Sequence, residues 1–113
     1  MIVGVSSRAK AGMADKLLQH LDDPEGARHL AAAMGATRNT LLWQGDRMIR
    51  ILEFPEGTHP RPLAKIAEER PAVKEFLRKV GELAEPGFDI DEPSTLDVFN
   101  RDVALQLVYD VKS

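Results

Sequence analysis

Thr37-Arg38-Asn39-Thr40-Leu41-Leu42-Trp43-Gln44-Gly45-Asp46-Arg47-Met48-Ile49-Arg50-Ile51-Leu52-Glu53-Phe54 reads as two β-strands joined by a two-residue loop, and its register decides the fold. Gly45 leads the loop, which suits a type II′ hairpin turn. That turn pairs Gln44 with Arg47, Trp43 with Met48, Leu42 with Ile49, Leu41 with Arg50 and Arg38 with Glu53. Strand alternation then sends Asn39, Leu41, Trp43, Met48, Arg50, Leu52 and Phe54 to one face. A guanidinium and an amide stand there among five apolar side chains. Burying an unpaired charge is costly, so Arg50 must find a carboxylate such as Asp15 or Glu75, a set of carbonyls, water or a ligand. The other face carries Arg38, Thr40, Leu42, Gln44, Arg47, Ile49, Ile51 and Glu53, with Arg38 and Glu53 expected to form a cross-strand ion pair.

Outward from the hairpin, the pattern alternates between strand and helix. Met1 to Ser7 is a short β-branched run. Ala11 to Leu21 places Met13, Leu17, Leu18 and Leu21 at helical spacing. Asp23 before Pro24 is an N-cap followed by a proline at the first helical position, and this second helix runs to Met34 before Gly35. After the hairpin, the connector Pro55–Pro62 holds three prolines and one glycine. Leu63 to Glu69 forms a short helix that ends before Arg70, because Pro71 disfavours helical geometry in the residue preceding it. Val73, Phe76, Leu77, Val80 and Leu83 then mark an amphipathic helix over Pro71–Leu83. Glu85–Thr95 reads as an exposed acidic loop or a lid, with Asp89, Asp91 and Glu92. Leu96, Val98 and Phe99 suggest one packed turn. Asp102–Lys112 reads as a closing strand with Val103, Leu105, Leu107, Tyr109 and Val111 on one face.

This order is a βαββαβ motif, so the expectation is a single α+β domain over residues 1–113 with a ferredoxin-like, four-stranded antiparallel sheet. Helices cover one face. The other is apolar enough to need cover of its own, which a second copy supplies by packing sheet on sheet as a dimeric α+β barrel.

Composition narrows the function classes. The chain has 113 residues and a formal net charge of −3, with both signs interspersed, so the concentrated basic surface that nucleic acid requires is missing. It has no cysteine, which removes disulfides, thiol catalysis and Cys-ligated metals. A leader and an apolar run of membrane-spanning length are both absent from the pattern, so a cytoplasmic protein without membrane contact is expected. His20, His29 and His59 lie on separate segments without carboxylates at ligand spacing, so no metal is expected.

An apolar row with a few polar groups is the usual lining of a small-molecule pocket. The candidate substrate-binding residues are therefore Asn39, Leu41, Trp43, Met48, Leu52 and Phe54. Arg50 is the candidate to stabilise an enolate, phenolate or carboxylate through charge-assisted hydrogen bonds. Trp43 offers a stacking face and Asn39 a carbonyl-orienting amide. His20 and His29 flank the break between the first two helices, and His29 is the candidate proton shuttle near neutral pH. Tyr109 is a candidate phenolic donor. Each of these has a bland alternative as well: Trp43 and Tyr109 as packing aromatics, and the histidines as surface groups at helix ends.

The hairpin, together with Arg70-Pro71-Ala72-Val73, Glu85-Pro86 and the acidic stretch leading to Phe99, resembles the SchA/CurD-like proteins over about two-thirds of the chain. The resemblance implies a place in bacterial aromatic polyketide pathways, including those of spore pigments. It also implies kinship with tetracenomycin-type cyclases, which are cofactor-free dimeric α+β barrels. In those cyclases a basic residue on the third strand, matched here by Arg50, lies in the pocket. This chain has arginine where histidine is typical, and it lacks their Asp-Thr-Thr-Glu-Leu-Pro segment. The implied activity is a cofactor-free polyketide cyclase or aromatase, acting as a homodimer with transient contacts to polyketide synthase components. The resemblance also admits a cofactor-independent monooxygenase, since Asn39 and Trp43 have the Asn-x-x-x-Trp spacing of such enzymes, though on another strand. A non-catalytic polyketide-binding protein is the third expectation.

Overall fold

The computed structural model describes residues 1–113. Strand β1 (Ile2–Ala9) is followed by helices α1 (Ala14–Leu21) and α2 (Pro24–Met34), and then by the hairpin β2 (Arg38–Gln44) and β3 (Arg47–Glu53). Helices α3 (Leu63–Glu69) and α4 (Pro71–Leu83) lead into a two-residue strand β4 (Ala84–Glu85) and helix α5 (Pro93–Val103). The four strands form one antiparallel sheet in the order β2-β3-β1-β4, the ferredoxin-like arrangement. No helix is long and apolar enough to cross a membrane.

The hairpin register is the expected one, from Arg38 opposite Glu53 to Gln44 opposite Arg47. Gly45 has φ +63°, and Asp46 has negative φ because every positive-φ residue is a glycine. A left-handed first position with an ordinary second one is the type II′ pattern. Arg38 and Glu53 are register partners but do not form the expected ion pair. The ion pairs that do form lie within α2, between the connector and α3, and between α4 and the loop before α5.

Helices cover the face that holds Met48, Leu52 and the neighbouring Phe54, all buried. Leu17 of α1, Ile66 of α3 and Leu96 of α5 are the largest fully buried side chains, so three helices drive apolar groups onto that face. Asp23 caps α2 by accepting from the Gly26 N–H at 3.0 Å, and Gly35 ends the helix in the left-handed conformation at φ +88°. Helix α1 starts at Ala14, three residues later than its apolar spacing implies, because Gly12 at φ +75° forms a turn ahead of it.

The last third of the chain departs from expectation. Leu96 and Phe99 belong to an 11-residue helix and not to one turn. Pro93 occupies its first position, and Leu96, Phe99 and Val103 form its buried stripe. The strand expected over Asp102–Lys112 is absent, because Val103 completes that stripe. After it, Ala104 makes one antiparallel bridge with Val5, and the Leu105 N–H donates to the Gly4 carbonyl at 2.8 Å. Residues 106–113 have no regular structure and are exposed, Tyr109 being 78% so. The fourth strand is Ala84–Glu85, paired with Arg8 and Ala9.

Two features hold α5 in place. The backbone of Phe88 passes so close to Gly81 of α4 that a Cβ there would lie 2.3 Å from the Phe88 carbonyl oxygen. The Phe88 ring then packs against Phe99, with centroids 4.8 Å apart. The acidic loop is tied down by Arg78, whose guanidinium meets the Asp91 carboxylate at 2.6 Å and holds its pKa below the ordinary carboxylate value. Thr95 Oγ1 accepts from the Asp89 N–H and donates to a carbonyl of the same loop, that of Asp89 or Glu92.

Leu96 is 1% exposed and Val98 46%, although both lie on α5. Leu96→Ala is expected to cost about 2–5 kcal/mol by leaving a cavity in the core. Val98→Ala is expected to stay within about 0.5 kcal/mol, as exposed sites do. Urea denaturation of the two variants measures the contrast, and equal effects would show that α5 packs by another face.

Candidate functional site

β3 delivers Arg50 to the helix-covered side of the sheet, between the buried Met48 and Leu52. There it faces a cavity of about 310 Å³ bounded by the sheet, α4, α5 and the connector before α3. Sixteen of the 22 lining residues are hydrophobic, among them Leu52, Leu63, Phe76, Leu77, Leu96 and Phe99. This volume is near the lower end for small-molecule sites and suits a compact ligand of one or two rings. A second, smaller space of about 220 Å³ lies beside it towards α2 and the start of α4, and Arg50, Leu21, Leu30 and Phe76 line both.

The guanidinium is held by one contact. Arg50 Nη1 donates to Asn39 Oδ1 at 2.7 Å, and Asn39 Nδ2 donates in turn to the Ala27 carbonyl at 3.1 Å. Strand alternation puts both residues on the same face of the sheet, with Asn39 one diagonal step from Arg50. Neither expected helix carboxylate is used, since Glu75 binds Arg78 and Asp15 forms no ion pair. An arginine has five N–H donors. Here one of them meets a neutral amide, and burial pulls the pKa of the side chain below its ordinary value. The side chain is half-buried, and its remaining N–H donors are left for water or a ligand oxygen.

The other candidates fall into two groups. Asn39, Met48 and Leu52 line the cavity with Arg50, and His29 lines the smaller space at its rim. His29 is exposed, with Nε2 3.7 Å from Glu25. Leu41 and Phe54 pack in and around the core without lining either space. Trp43 sits at the end of the hairpin, where its indole N–H donates to the Gly45 carbonyl at 2.7 Å, away from the cavity. The Asn39–Trp43 pair is therefore not assembled at one site. Tyr109 lies in the exposed tail, apart from both spaces. His20 stacks on Phe76, with centroids 4.7 Å apart, and its Nε2 is 3.0 Å from the Phe76 carbonyl oxygen, which makes it a structural group.

The apolar wall contributed by α4 and α5, and Arg70 at the start of α4, were not among the expected site residues. Their signal was present: Phe76 and Leu77 lie on the apolar stripe of α4, and Leu96 and Phe99 on that of α5. Which part of a stripe lines a cavity depends on how the helices cross the sheet, and periodicity does not encode that. Nowhere do three His, Asp or Glu side chains converge closely enough to hold a metal ion.

No protein-family model matches the chain, and no curated protein or solved structure is significantly similar to it. The case for a site therefore rests on geometry.

If Arg50 is kept for a ligand and not for the fold, replacing it with an apolar residue of similar length should not harm the protein. Arg50→Met is expected to be neutral or to raise stability by about 1 kcal/mol or more, because it removes a desolvated charge that no carboxylate offsets. Asn39→Ala leaves Arg50 without its partner and removes a second bond to the Ala27 carbonyl, and should cost about 1–3 kcal/mol. Thermal and urea melts of the two variants test this, and a large loss in Arg50→Met would assign the guanidinium a structural role.

Proposed function

We propose that the chain is a cofactor-free polyketide cyclase or aromatase, acting on a compact aromatic polyketide intermediate in the cavity beneath α4 and α5. One observation supports this above the others. A half-buried guanidinium, held by a single neutral amide, faces an apolar enclosure. Folding a poly-β-ketone into a ring passes through an enolate, and a pre-oriented cation in a dry site stabilises that charge more than water does. The apolar wall would hold the chain in a folded conformer and bring its reacting carbons together. His29 at the rim would exchange protons with solvent. The likeness of the hairpin to SchA/CurD-like proteins agrees with this reading, as does the match of Arg50 to the basic pocket residue of the related cyclases. The oxygenase reading is weaker, because it relies on Asn39 and Trp43 acting together and these are apart.

The working unit in this proposal is a homodimer. The helix-free face of the sheet presents Ile49 and Ile51 half-buried and Leu42 exposed, with no element of its own chain laid across them except Leu105, which packs over Gly4. Leu107, Val108, Tyr109 and Val111 continue this apolar surface into the tail. A second copy, sheet against sheet, would cover both. Light scattering after size exclusion should give a mass near twice 12.5 kDa. Ile49→Lys combined with Ile51→Glu should return it to the monomer value, and a monomeric wild type at micromolar concentration would refute the dimer.

For the activity, the purified protein is added to a minimal polyketide synthase that releases unguided cyclisation products. The expected result is a shift to one regiochemistry without oxygen uptake, and a loss of about 10²–10³-fold in the rate of that product in Arg50→Gln, as when one oxyanion donor is removed. Oxygen consumed in step with product would replace this reading with the oxygenase one. A product shift without dependence on Arg50 would leave only a binding role.

A further inference from the structure

The smaller space beside the cavity is lined by a cation, Arg70, that the proposed cyclase chemistry does not use. Arg50 forms part of its wall, and Arg70, at the junction of α3 and α4, forms another part. Arg70 makes no ion pair. Its neighbour Glu69 is occupied by Arg61, whose Nη2 lies 2.8 Å from both carboxylate oxygens. Asp23 also lines the space, its Oδ1 accepting the Gly26 N–H that caps α2, so the wall carries two guanidiniums against one carboxylate. His29 completes the rim. Two guanidiniums without carboxylate partners thus flank a space of about 220 Å³, directly beside an apolar one of about 310 Å³. The remaining lining includes Leu30, Val73 and Phe76, which offer an anion no competing acceptor.

We infer that this smaller space is a carboxylate subsite, in which Arg50 and Arg70 together hold the acid group of a one- or two-ring apolar acid whose body fills the larger cavity. The inference rests on the reading that Arg50 faces the ligand, and it extends that reading to a substrate class. The molecule bound is a free acid, with its carboxylate at the α2–α4 end and its rings beneath α4 and α5. Planar guanidiniums suit this task because each offers a carboxylate two parallel N–H donors. A neutral ester of the same shape would still accept one hydrogen bond from Arg50, but would gain nothing from Arg70.

The test uses 2-naphthoate and its methyl ester as probes, titrated calorimetrically into the full chain and into Arg50→Gln, Arg70→Gln and Arg70→Lys. Wild-type protein is expected to bind the acid about tenfold or more tightly than the ester, the size of one charge-assisted hydrogen bond. Arg70→Gln should remove most of that preference and leave ester affinity within about twofold, while Arg70→Lys should restore part of it. Arg50→Gln should weaken both probes. Arg70 is exposed, so its variants are expected to melt with wild-type cooperativity, which separates lost binding from lost fold. Equal affinity for acid and ester, no detectable binding of the acid at millimolar concentration, or an acid preference unmoved by Arg70→Gln would each overturn the subsite. If Arg50→Gln still weakens both probes while Arg70→Gln affects neither, the subsite fails and the reading of Arg50 survives. If Arg50→Gln changes neither probe, both fail.

Discussion

Much of this molecule depends on the register set at Gly45. A two-residue turn whose first position has positive φ locks Trp43 opposite Met48 and Leu41 opposite Arg50. Side chains alternate along a strand, so a slip of one residue would exchange the faces. Ile49 and Ile51 would then enter the core, and Arg50 would leave it for the open side of the sheet. The cavity, the inward placement of Arg50 and the apolar outer face all follow from one glycine conformation. A residue with a Cβ at position 45 would be strained there, even though open space surrounds it.

The inner row shows a division between what stabilises the fold and what the fold holds ready. Met48, Leu52 and Phe54 gain by burial in the ordinary way. Arg50 is placed among them at a cost, and its support is neutral: one amide, anchored to a carbonyl of α2. A carboxylate partner would have neutralised the charge and closed the site. Asn39 instead fixes the direction of the guanidinium without neutralising its charge. The carboxylates nearest in kind, Glu75 and Asp91, are gathered on the outer side of α4 by Arg78 and kept out of the cavity.

How much of this was legible in the sequence depended on the range of the interaction. The hairpin, α2 with its Asp23 cap and Gly35 terminator, and the break at Arg70-Pro71 are written in neighbouring residues and were read correctly. The chain after Leu83 was not, for a specific reason. Val103 belongs to two overlapping patterns: the alternation that runs through Leu105, Leu107, Tyr109 and Val111, and the helical spacing of Leu96 and Phe99. Tertiary packing chose the second, since Phe88, brought close by Gly81, supplies the surface against which Phe99 docks. Local pattern carries no record of that contact. The site was legible in the same proportion. Arg50, Asn39, Met48 and Leu52 followed from alternation, whereas Trp43 shares their face but packs at the edge of the core, away from the cavity. Arg70 joins the site only because α4 begins next to α2.

The division of labour along the outer edge of β1 has a consequence for strand addition at that edge. Ala84–Glu85 closes the edge at Arg8 and Ala9, and Ala104–Leu105 closes it at Gly4 and Val5, from two distant parts of the sequence. A long continuous edge strand would offer a template for another strand to add to, the usual start of runaway polymerisation. Two short patches with chain leaving between them give such a strand no run to follow. The edge that remains is β2, which exposes Arg38, Leu42 and Gln44. Edge-wise growth is thereby blunted along β1, and the apolar outer face of the sheet does not adjoin a long open edge on that side.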